Sequence, residues 1–181
     1  MKRVIARAGC ALLPLLLAAC QPSPGDQDPV PAARVEAALA DPAKLGADVD
    51  VKTYRQRLDR RGFDPAQVVH GRELFVAHCA SCHGQLAEGA PNWQKRGPGG
   101  TWPPPPLNGT AHDWHHSDQL LLRIMRDGGL SYGEFYRGAM PPMGDKLDEA
   151  DRLAVLRYIQ SLWSDEAWTL QQQLTRENPG N

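Results

Sequence analysis

Between Gln85 and Gly109 lies a stretch that no helix or strand can cross, with prolines at 91, 98 and 103 to 106 and glycines at 89, 97, 99, 100 and 109. Proline removes a backbone donor and clashes with the preceding turn, while glycine leaves the backbone without a preferred conformation. Irregular segments of about 25 residues are uncommon inside a compact domain unless they wrap something bulky. The stretch therefore predicts a fold built around a group that the polypeptide does not itself supply.

On both sides of it the pattern is helical. Asp64 is placed to cap a helix whose first turn takes Pro65, and Val68, Val69, Phe75 and Val76 recur at helical spacing as the chain runs into "CASCHG". Ser117 precedes "DQLLLRIMRDGG", where Leu120, Leu121, Ile124 and Met125 form one face and Gly128 or Gly129 ends it. Asp148 opens "EADRLAVLRYIQSLW" with Asp151 three residues on, and Val155, Leu156, Ile159 and Trp163 share a side. Weaker helical patterning covers Ala32 to Leu39 and Val51 to Arg61, and Trp168 to Arg176 continues as a helical tail. The charge run "RQRLDRR" reads as a solvated helix face. No alternating run long enough for a sheet occurs, so the predicted class is all-α.

The first residues, "MKRVIARAGCALLPLLLAAC", join a basic start to an apolar stretch broken by Pro14 and closed by small residues, the architecture of an export signal. "LAAC" resembles a bacterial lipobox, which places lipid on Cys20 and the mature protein on a membrane surface. "QPSPGDQDPVP" follows as a spacer; in polyproline form about twelve residues reach roughly 35 Å. Loss of Lys2, Arg3 and Arg7 with the signal takes the formal charge from -1 to -4, and no dense basic patch exists to neutralise nucleic-acid phosphates.

Of the four cysteines, Cys10 leaves with the signal and Cys20 takes lipid, so only Cys79 and Cys82 serve the folded part. A disulfide framework is excluded. A redox dithiol wants alternating strands and helices, and tetrahedral zinc wants further ligands at suitable spacing; both lack parts. Cys-x-x-Cys-His is the attachment signature of c-type haem: thiols at 79 and 82 share one face of a helical turn, and His83 next to them reaches the iron. The second iron ligand is left open among Met125, Met140, Met143, His112, His115 and His116. Met125 sits on an apolar helix face, where methionine usually packs, whereas Met140 lies in the loop "RGAMPPMGDKL".

These residues resemble the class I c-type cytochromes, in particular small bacterial members with one haem, over Asp64 to Trp163. Gly71 and Phe75 match the family's first-helix positions, which pack on an aromatic of the last helix, here Tyr158. "CASCH" matches the haem site. "PPLNGT" resembles the loop whose proline carbonyl receives the hydrogen bond of the haem histidine, which implies that Pro105 orients His83. "GAMPPMGDKLDEAD" resembles the loop that supplies the axial methionine, which implies Met140, although Met143 stands where the family usually has an aromatic.

The expected organisation is a signal peptide at 1–19, a lipid-anchored tether with short helices at 20–63, a cytochrome c domain at 64–164 and a tail at 165–181. The expected function is electron transfer on the periplasmic side of a bacterial membrane through one haem c, with redox proteins as partners and no catalysis by the chain alone. One rival is a haem enzyme or gas sensor whose sixth iron position is open. Another is a metal-handling protein using His112, His115 and His116, three imidazoles within five residues.

Overall fold

The computed structural model describes residues 29–132 and 138–178. The segment read as a signal peptide, with Cys20, lies outside the described residues. Eight α-helices are present among the described residues, and no strand. They are α1 (Ala32–Leu39), α2 (Pro42–Leu45), α3 (Val51–Arg60), α4 (Pro65–His78), α5 (Ala80–His83), α6 (Asp118–Asp127), α7 (Glu149–Leu162) and α8 (Asp165–Glu177). None of them is long and apolar enough to cross a membrane.

Short polar side chains set where the main helices begin. Asp64 Oδ1 accepts from Ala66 N at 2.9 Å with Pro65 in the first turn, Ser117 Oγ from Leu120 N at 3.2 Å, and Asp148 Oδ1 from Asp151 N at 2.8 Å. Each satisfies one of the N–H groups that a helix start leaves without a partner. The α7 helix stops where Trp163 turns extended, and Ser164 Oγ starts a separate helix, α8, by accepting from Ala167 N at 3.2 Å.

The centre of the fold is the crossing of α4 and α7. At Gly71 the two backbones touch: a Cβ there would fall 1.9 Å from Ala154 O. That approach brings the Phe75 and Tyr158 rings to 5.2 Å, both wholly buried.

The packed unit extends beyond the expected 64–164. Val35, Leu39, Leu45, Tyr54, Leu58 and Phe63 belong to the same core as Phe75 and Tyr158, so residues 32–63 fold onto the domain where a tether was expected. Two buried phenols bind this segment to α7, with Tyr158 Oη donating to Leu45 O at 2.8 Å and Tyr54 Oη 2.7 Å from Ser161 Oγ. The C-terminal segment is likewise more than a tail: Trp168 meets Phe63 edge-on at 5.1 Å, and Gln171 is fully buried.

The charge run on α3 also differs from expectation. Arg61, its side chain 2% exposed, donates to Gln160 O at 2.7 Å, to Trp163 O at 2.9 Å and to Asp165 Oδ1 at 2.7 Å, while Arg57 donates to Ser161 O at 3.2 Å. These guanidinium groups bond carbonyls around the C-terminus of α7, where positive charge is favoured. Burial pushes Arg61 down to about 10 against the pull of Asp165, so it stays charged at neutral pH.

Candidate functional site

Helix α4 delivers the chain to Cys79, which closes α4 by donating from its N–H to Phe75 O at 2.8 Å and opens α5. The turn is completed by Cys82 N and His83 N, which both donate to Cys79 O, at 3.1 and 3.0 Å. Both thiols are free. Cys82 is exposed, whereas burial, followed by the neighbouring Cys82, pushes the Cys79 thiol up to about 11. A redox-active dithiol needs a thiol displaced the other way, toward the thiolate.

His83 is 9% exposed, and its Nδ1 lies 2.8 Å from Pro105 O. A carbonyl can only accept, so Nδ1 carries the proton and Nε2 keeps its lone pair. Burial holds the ring below the usual imidazole range, and the Pro105 bond opposes this only in part, so His83 is neutral at physiological pH. The result is a buried imidazole fixed in one tautomer with its Nε2 ready to bind a metal.

The Pro/Gly stretch holds its form through backbone bonds close to this ring. Gly89 N donates to His83 O at 2.7 Å, Ala90 N to Pro104 O at 2.9 Å, and Leu107 N to Ala87 O at 2.8 Å. Gly89, at φ 77°, lets the segment press onto the proline run, where a Cβ would meet Pro106 N at 2.4 Å.

The two candidate methionines occupy different environments. Met143 is 8% exposed and packs in the core with Met125; its N–H donates to Met125 O at 3.0 Å. Met140 is only partly buried, and its carbonyl accepts from Gly129 N at 3.0 Å. Gly128, at φ 72°, permits this approach, since a Cβ there would stand 2.7 Å from Met140 O.

His112 and His116 stand edge to face at 5.7 Å, and the His115 ring leans on Trp114 at 3.7 Å. Among the described residues no group of three or more His, Cys, Asp or Glu side chains is gathered so as to hold a metal ion. Beside them Asp113 is buried at 6% exposure. Nothing in the sequence marks Asp113, and Trp163 is marked there only as part of an apolar helix side, not as the donor whose indole N–H reaches Leu107 O at 3.0 Å.

The donor set suits a haem attached through sulfur: two free thiols on one turn, a neutral imidazole locked by a carbonyl, and a partly buried thioether in a fixed loop.

Comparison with known proteins agrees. The family model described as cytochrome c matches residues 68–163. The Cbb3-type cytochrome c oxidase subunit CcoP of Rhodobacter capsulatus is 35% identical over 146 residues, covering 77% of this chain and 44% of that protein. The chain thus spans less than half of that relative's length. No solved structure matches.

Proposed function

The chain belongs to the cytochrome c family, and from that premise we propose an electron carrier with one covalent haem c, tethered through lipid on Cys20 to the periplasmic side of a bacterial membrane. Bound haem supplies an iron that exchanges one electron between its ferric and ferrous states. Cys79 and Cys82 hold the ring by thioethers from a single helical turn. His83 binds iron through Nε2, and donation of its Nδ1–H to Pro105 O fixes the tautomer and makes the ring a stronger ligand. Met140 would be the other protein ligand to iron, and its thioether would favour the reduced state and raise the potential. Held by both His83 and Met140, the iron would offer no position to a substrate, and the chain would pass electrons without catalysing a reaction alone.

The observation that carries this reading is the 2.8 Å contact between His83 Nδ1 and Pro105 O, because it prepares an imidazole for metal binding immediately after two paired thiols. The basic start, the apolar stretch and "LAAC" support export and lipid attachment. A relative that is an oxidase subunit supports redox enzymes as donor or acceptor.

The test is purification from cells able to attach haem. Pigment that resists acid-acetone, together with a methionine-to-iron charge-transfer band in the ferric spectrum, is the expected result. A colourless product refutes the carrier. Pigment without that band, combined with ready binding of carbon monoxide, favours an open sixth position. Stoichiometric copper uptake by the haem-loaded protein would instead support metal handling by His112, His115 and His116.

A further inference from the structure

The bond from His83 to Pro105 depends on the placement of a segment that cannot place itself. Prolines 103 to 106 have no N–H groups, so this run offers carbonyls only and is positioned by donors from elsewhere. Ala90 N grips it at Pro104 O, 2.9 Å away. On its other side is Leu107, whose N–H reaches Ala87 O at 2.8 Å and whose carbonyl accepts from Trp163 Nε1 at 3.0 Å.

Trp163 is suited to hold that end rigidly. It is 0% exposed, it terminates α7, and its own carbonyl accepts from Arg61 at 2.9 Å. Gly109, at φ 88°, allows the loop to close over it, since a Cβ there would lie 3.0 Å from the indole Cδ1.

We propose that Trp163 is a positioning residue for the haem ligand: its indole N–H fixes Leu107, and through the stiff backbone of Pro106 between them it holds Pro105 O against His83 Nδ1. This rests on the reading of His83 as the iron ligand. Trp163 thereby links the end of the last core helix to the electronic character of the imidazole. When its N–H is removed, the Pro105 carbonyl gains freedom and accepts the His83 Nδ1–H less effectively, so the ring is less basic and ferric iron is destabilised relative to ferrous.

The experiment compares Trp163→Phe with Trp168→Phe in the full haem-loaded chain. The first removes the donor and keeps an aromatic ring; the second keeps an aromatic ring beside Phe63 and under Arg61 and makes no bond to the loop. Two quantities are read: the reduction potential, and exchange of the His83 Nδ1 proton in the reduced protein under native conditions. For Trp163→Phe the potential rises and exchange accelerates about five- to tenfold, the range expected on losing one net hydrogen bond. For Trp168→Phe both stay at the parent values even if the melting temperature falls. Parent values in Trp163→Phe, or equal changes in both variants, overturn the proposal. Failure of the haem reading looks different, because the parent itself then lacks covalent pigment; the His83 proton can still be followed in that protein and decides the Trp163 question separately.

Discussion

Replacing Asp113 by Asn should remove a pH dependence that the fold carries at a single buried carboxyl. Asp113 is 6% exposed, and neither of its oxygens reaches a hydrogen-bond partner among the described residues at bonding geometry. Burial pushes its pKa up to about 7; the Trp163 indole and the N–H groups of Asp113 and Trp114 lean toward it and oppose burial only weakly. The folded protein therefore binds a proton that the unfolded chain, with an ordinary aspartate at 3.8, releases much earlier. Stability from this group is complete below about pH 4 and is lost as pH rises toward 7, where the curve levels off. The displacement amounts to about 4 kcal/mol at and above pH 7, with about 2 kcal/mol already gone at pH 5.

The assay is guanidinium unfolding of the haem-loaded protein and of Asp113→Asn at pH 5 and pH 8. Asparagine carries its own burial cost, but that cost is the same at both values, so the slope is diagnostic and the offset is not. Burial, with His112 and His115 adding to it, holds His116 below the usual imidazole range. It contributes the opposite trend, stability lost as pH falls, and is present in both proteins, so the difference isolates Asp113. The parent should lose about 2 kcal/mol more than the variant between pH 5 and pH 8. Parallel profiles would refute the argument that an unpartnered carboxylate is being forced to ionise there.

Gly71→Ala places a methyl 1.9 Å from Ala154 O and must force α4 and α7 apart; a loss of about 3 kcal/mol or failure to accumulate folded protein is expected, read by thermal unfolding. Met140→Ala should lower the reduction potential and open the iron to carbon monoxide, whereas Met143→Ala should cost about 2 to 5 kcal/mol from the core and leave the potential unchanged; the reverse pattern would transfer the ligand role to Met143. Arg61→Ala strips donors from Gln160 O and Trp163 O and leaves Asp165 with fewer cationic partners, which should cost about 3 kcal/mol in chemical denaturation.

The sequence by itself determined what depends on residues three or four positions apart. Asp64, Ser117 and Asp148 mark helix starts because a capping oxygen reaches an N–H within one turn, and the turn from Cys79 to His83 presents thiols and imidazole through helical pitch alone. The close approach at Gly71 and the Phe75–Tyr158 contact were legible only through resemblance to a family, since their partners lie on another helix. Tertiary structure alone decided the rest. Arg61 read as one more charge on a solvated face because nothing nearby in the chain shows that the passage from α7 into α8, about a hundred residues on, brings three acceptors to it. Residues 32–63 read as short helices within a tether because nothing in their own pattern shows what covers their apolar side chains, and it takes the assembled core to bury Leu39, Tyr54 and Leu58 together. Asp113 and Trp163 gained their roles in the same way: burial and a bond across 56 positions to Leu107 are properties of packing, and only a folded chain brings such distant groups within reach.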